Sequence, residues 1–458
     1  MLGQQMERDR ITPIDPDVAR SYNWLKSFLN TEEWESRKFR IENYLNNVLE
    51  VKIARENATE LKPVAIYDDQ IGWYLYLAEM YLYHPHKYEP IQGARVIPIF
   101  KRMGIDFDII QSIRGINCRV RDLLFPNRKN ADSGLFELLT GLLWARNGWE
   151  VHFIEEDPTR KTPDFRAILK GEEWYIECKR LAKSSQYSLR ERKKWLSMWR
   201  HLVDLLVDYR MPIVLDIVFH VELINLPDSF LVDELFGKLK LVTSPCQLID
   251  NEIWTVSVDY VDFDRVRTHL KRNFVKVPSD QLNELIAGRR DPNRGFTSAV
   301  LGKYVRIGEG VGNNQYLDDL SFAVGAFWSC DADEAIETKA RDIRAHLASA
   351  VQQLPDSSKG VIHVGLETLD GWLVEAERYY RIIQTVQRFA SEGKDLQWIY
   401  CHLFQSYAPP DQDWIFDETV YYFGKNHPGV VEPLKVRSMI VDANDVQSDG
   451  VHWMRDVP

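Results

Sequence analysis

The stretch from Pro163 to Lys179 constrains the fold more than any other, because its side-chain pattern asks for a β-hairpin. Phe165 to Leu169 reads as one strand and Trp174-Tyr175-Ile176-Glu177-Cys178-Lys179 as the next, with Lys170-Gly171-Glu172-Glu173 as the polar, glycine-bearing turn between them. A strand reverses side-chain direction at every residue, so Tyr175, Glu177 and Lys179 share one face while Trp174, Ile176 and Cys178 share the other. One face is chemical, the other apolar. Such a hairpin brings the carboxylates of Asp164 and Glu177 to one spot beside the ammonium of Lys179.

Two carboxylates so placed repel each other in a low-dielectric cleft unless a hard divalent cation lies between them, and Mg²⁺ suits that position. A bound Mg²⁺ keeps several waters and can hold a phosphate oxygen, which points to activation of water against a phosphoryl group. Lys179 is then placed to orient or deprotonate that water, or to stabilise the pentavalent state. Upstream, Ser133 to Trp144 reads as a helix with apolar positions at Leu135, Phe136, Leu139, Leu142 and Leu143, and Glu137 lies beside that stripe. Gly148 ends the helix and Trp149 to Ile154 alternates as a strand.

The pattern Glu137, Pro163-Asp164, Glu177-Cys178-Lys179 resembles the PD-(D/E)xK nuclease superfamily. The resemblance covers roughly residues 126 to 225. It implies a core of a helix, three antiparallel strands, a second helix (Ser188 to Tyr209) and an apolar fourth strand (Pro212 to Val221). It further implies Asp164 and Glu177 as metal ligands, Lys179 as the catalytic lysine, Glu137 as the helix-borne acid assisting the metal, and the Cys178 backbone carbonyl in the metal shell. Mg²⁺ is the implied cofactor, with Mn²⁺ as a substitute. The expected fold class is therefore α/β, a restriction-endonuclease-like mixed sheet flanked by helices.

Length and composition frame this reading. At 458 residues, with 45% hydrophobic and 27% charged, the chain is long enough for several domains. We expect a helical region over 1–125, the nuclease-like core over 126–225 and an α/β region of unassigned role over 226–458. The polar start and the lack of a long apolar run lead to the expectation of a cytoplasmic protein with no membrane span. Cys118, Cys178, Cys246, Cys330 and Cys401 are scattered and never form a C-x-x-C pair, so they are expected as buried thiols.

A net charge of −11 does not favour a general nucleic-acid coat, so any such contact must be local. Lys183, Arg190, Arg192, Lys193, Lys194 and Arg200 stand against Glu191 alone on the helix after the hairpin; the first five are the expected phosphate contacts. Arg95, Arg119 and Arg121 face either nucleic acid or local acids. His84 and His86 flank a proline and read as surface residues. The glycine-rich Gly308 to Asn314 lacks the Lys-Ser/Thr of a P-loop, and Gly288 to Gly295 is a basic turn that either touches phosphate or is plain surface. No serine-hydrolase elbow, zincin motif or Walker A segment is present.

The expected function is a Mg²⁺-dependent endonuclease acting on nucleic acid, DNA before RNA, with a homodimer or an activating partner as expected company. Two other readings stand beside it: a non-catalytic module that binds nucleic acid or protein on a nuclease-like fold, and an RNA-cleaving or regulated effector of antiviral defence.

Overall fold

The computed structural model describes residues 14–54, 66–155, 159, 161–181, 184–291, 293–308, 314–340, 342–425, 431–442 and 451–454. Lys183, Pro292 and residues 309–313 of the glycine-rich segment lie outside them. The protein is mixed α/β, with two mixed sheets flanked by helices.

The first seven helices are α1 (Pro16–Lys26), α2 (Thr31–Ala54), α3 (Gln70–Tyr83), α4 (Pro90–Ile105), α5 (Phe107–Ser112), α6 (Ile116–Leu124) and α7 (Ala131–Arg146). Side-chain caps start several of them. Asp15 accepts from the first amides of α1, Asp69 from Gly72 in α3, and Glu89 from Ile91 and Gln92 in α4. Their apolar sides merge into one core with Trp174, Ile176, Cys178 and Phe165 of the hairpin, so the helical layer covers one face of the first sheet.

The hairpin forms as expected. After β1 (Glu150–Phe153) come β2 (Phe165–Leu169) and β3 (Glu172–Arg180), paired antiparallel with Phe165 opposite Ile176 and Leu169 opposite Glu172. The turn is the two residues Lys170 and Gly171, both at positive φ (52° and 83°), as a tight hairpin turn requires. Then follow α8 (Gln186–Asp208), β4 (Ile213–Phe219), β5 (Cys246–Asp250), β6 (Trp254–Tyr260), α9 (Phe263–Leu270), β7 (Val275–Lys276), α10 (Asp280–Ala287), β8 (Gly295–Arg306) and β9 (Gln315–Cys330). The chain finishes with α11 (Asp333–Lys339), α12 (Arg344–Val351), β10 (Gly360–Glu367), α13 (Trp372–Arg388), β11 (Leu396–Tyr407) and β12 (Ile415–Gly424).

The first sheet runs β1-β2-β3-β10-β11-β12, and β10 lies parallel to both β3 and β11. The second runs β5-β6-β4-β9-β7, with β8 also paired to β9. This corrects the expected fourth strand. Residues 213–219 do form a strand, but it lies between β6 and β9 in the second sheet; the strand beside β3 is β10, about 180 residues further on. The reason is that both segments are apolar on both faces, so periodicity suits either to a central position.

All five cysteines are free; Cys178, Cys330 and Cys401 are buried as expected, but Cys118 and Cys246 are exposed. Among the described residues no helix is long and apolar enough to cross a membrane.

Candidate functional site

Strand geometry places the acids. Beyond the last ladder pair, Phe165 opposite Ile176, the Asp164 amide also donates to the Ile176 carbonyl at 3.1 Å, which holds Asp164 at the start of β2 against β3. The strand ends there, leaving the Cys178 amide without a backbone acceptor on that side. Asp164 Oδ2 takes it at 2.7 Å, so the carboxylate extends the ladder with its side chain. Cys178 itself packs in the core with its thiol pushed up by burial.

Glu177 is 1% exposed. Its Oε1 accepts from Lys179 Nζ at 2.5 Å, while its buried Oε2 has no partner among the described residues. Burial, and after it the charge of Asp164, push its carboxyl up to about 9, against the pull of Lys179. Burial also raises Asp164, opposed first by Arg119.

Arg119 completes the cluster. Gly115 adopts φ +80° ahead of α6, and Arg114 exchanges backbone hydrogen bonds with Val151 and Phe153 of β1 at 3.0 and 2.9 Å, which straps the start of α6 to the sheet. One turn on, the Arg119 guanidinium is buried with its centre 5.7 Å from the Phe153 ring centroid. Its Nη2 lies 2.6 Å from Asp164 Oδ1 and 2.8 Å from Glu137 Oε2 on α7. Glu137, Asp164 and Lys179 each keep 14–20% of their side chains exposed, so the cluster has an opening.

The four residues expected at the site, Glu137, Asp164, Glu177 and Lys179, thus gather, with Arg119 between two of the acids. The sequence left Arg119 open between nucleic acid and local acids. Its signal was there: it sits next to the buried stripe Ile116, Val120 and Leu123, where an arginine needs carboxylate partners. Among the described residues, no three or more His, Cys, Asp or Glu side chains are grouped to hold a metal ion by themselves.

The other basic residues separate clearly. On α8, Arg190, Arg192 and Lys193 are exposed, with Arg190 over the Tyr187 ring, while Lys194 pairs with Asp228 and Glu191 is buried against Lys339 at 3.0 Å. That helix packs through Trp195, stacked on Trp328, against the second sheet. Arg95 is buried and pairs with Asp132 and Glu367, each at 2.6 Å, so it belongs to local acids; Arg121 is exposed. Arg289 and Arg294 of the basic turn both pair with Asp216 on β4. His84 and His86 contact each other edge to face, and their ring pKa values are lowered by burial. No family model, no curated protein and no solved structure matches this chain.

Proposed function

We propose that the protein is a metal-dependent nuclease that hydrolyses phosphodiester bonds, with DNA as the first substrate to test. The observation that carries this reading is that Asp164 takes the Cys178 amide directly beside Glu177, close enough for its charge to raise the Glu177 carboxyl, while Lys179 bonds Glu177 on the same strand. A cluster of buried acids gains nothing for mere phosphate binding, because it repels the ligand.

The donor set fits a Mg²⁺ ion. Such an ion is usually held by one or two carboxylates, with waters and substrate phosphate filling the rest, so a cage of three protein ligands is not required. Glu177 Oε2 is a buried carboxylate oxygen in need of a partner, and a neighbouring cation would relieve the repulsion that raises Glu177. When bound, the ion supplies a more acidic water and neutralises phosphoryl oxygens. Asp164 and Glu177 would hold it, with the Cys178 carbonyl as the third donor. Lys179 orients the attacking water and offsets charge on the phosphoryl group, while Glu137 acts by holding Arg119 against Asp164.

The same reading makes α7, β1–β3, α12 and β10 a restriction-endonuclease-like core. α12 packs on β3 and β10, taking the place of the second helix, and the second sheet lies within the connection from β3 to β10. The exposed Arg190, Arg192 and Lys193 then serve as phosphate contacts.

The test is a cleavage panel of single- and double-stranded DNA and RNA with Mg²⁺ or Mn²⁺. Wild type should cut at least one substrate, Lys179→Ala should lower the rate about 10²–10⁴-fold, and Asp164→Ala should abolish it with the circular dichroism spectrum unchanged. Cleavage that survives in both variants, or none in wild type with either metal, ends the proposal.

A further inference from the structure

We infer that this site takes a single divalent cation, between Asp164 and Glu177, because the Arg119 guanidinium fills the second cation position, between Asp164 and Glu137. The inference rests on the nuclease reading above and adds the metal count and the residue that sets it.

One nitrogen, Nη2, lies within 2.8 Å of an oxygen from each of two carboxylates on different elements, as a bridging ion would. Arg119 is held there: α6 is strapped to β1, the side chain is buried, and an aromatic ring backs the guanidinium. A guanidinium keeps its proton at any ordinary pH, so this built-in cation does not dissociate. The second oxygen of Asp164, Oδ2, holds the Cys178 amide next to Glu177, whose Oε2 is buried without a partner among the described residues. The two oxygens of Asp164 thus divide the contacts: Oδ1 meets Arg119, and Oδ2 meets β3 beside the carboxylate that is open to a metal.

Charge counting agrees. Glu137, Asp164 and Glu177 against Arg119 and Lys179 leave one net negative charge. One divalent ion and one phosphodiester bring the sum to zero, whereas a second divalent ion would leave two positive charges in a largely buried site, which is costly.

The experiment is a Mn²⁺ titration of the full chain, reading free Mn²⁺ by electron paramagnetic resonance. Wild type and Arg119→Lys should each bind one ion, and Arg119→Met should bind two, returning to one when Glu137→Gln is added. In the wild-type background Glu137→Gln should still bind one ion, because Glu137 is not a ligand of the single metal. This single variant keeps the test decisive should Arg119→Met fail to fold. Two ions in wild type, one in folded Arg119→Met, or no ion in folded Glu137→Gln overturns the inference. If wild type binds two ions that Asp164→Ala removes, the nuclease reading survives without it; if wild type binds none, both fall.

Discussion

Glu177 and Lys276 meet the same physical demand with opposite charges: each is buried, and each has its neutral form favoured. For Lys276 on β7, burial lowers the ammonium to about 7, against the opposing pull of Glu89 and Asp413. Its Nζ donates to the carbonyls of His86, at 3.1 Å, and Tyr88, with the Tyr316 ring 5.4 Å away. The sign of the pH effect follows. An unfolded lysine holds its proton to about 10.4, so between about 7 and that value the unfolded chain binds more protons, and stability rises with pH. Below about 7 the cost of the buried charge is present in full. Melting temperatures of wild type and Lys276→Met from pH 6 to 10 should therefore differ most in favour of the variant at pH 6, with the gap closing as pH rises. Parallel curves would show that Lys276 titrates normally.

At the scale of elements, strand existence was easier to read than strand partnership. The periodicity of 163–179 gave β2, β3 and their turn, because alternation and a glycine at positive φ are local properties. The apolar run of β10 suits a strand, yet nothing local in it selects a place beside β3. What decides it is fit: Gly365 on β10 faces α7, and a Cβ there would lie 2.6 Å from the Phe136 ring. Only a glycine lets the helix bearing Glu137 rest this close to the sheet. Gly365→Ala should therefore cost about 1–3 kcal/mol by overpacking, read from urea unfolding, and Phe136→Leu in the same chain should recover part of the loss. A fully additive pair would mean that the two positions do not press on each other.

For the whole molecule, the helical layer is joined to the first sheet by buried charge as well as by apolar packing. Arg95 of α4 reaches Asp132 of α7 and Glu367 of β10, Arg180 of β3 reaches the same Glu367 at 2.7 Å, and Tyr74 of α3 donates to Asp132 at 2.7 Å. Arg95, Asp132, Arg180 and Glu367 line a pocket together with Phe136, Phe404 and Phe416. Removing one member leaves buried partners uncompensated, so Arg95→Met should destabilise by about 3–5 kcal/mol, measured by chemical denaturation. Replacement of a solvated surface arginine such as Arg192 should shift stability by no more than about 0.5 kcal/mol. A small effect at Arg95 would show that water, not the protein, solvates its partners.

The sequence by itself determined the hairpin, the face each of its residues takes, and the nearness of Asp164, Glu177 and Lys179, since these follow from a period of two and a turn; Glu137 entered through the resemblance alone. Tertiary structure alone decided that β10 and not β4 completes the first sheet, that a second sheet lies between β3 and β10, and that Arg119 sits among the acids. Those outcomes depend on which of several equally apolar strands and basic side chains finds a complementary surface. Such complementarity is a property of the packed molecule, set by shape and by the need to pair buried charge, and no local pattern encodes it.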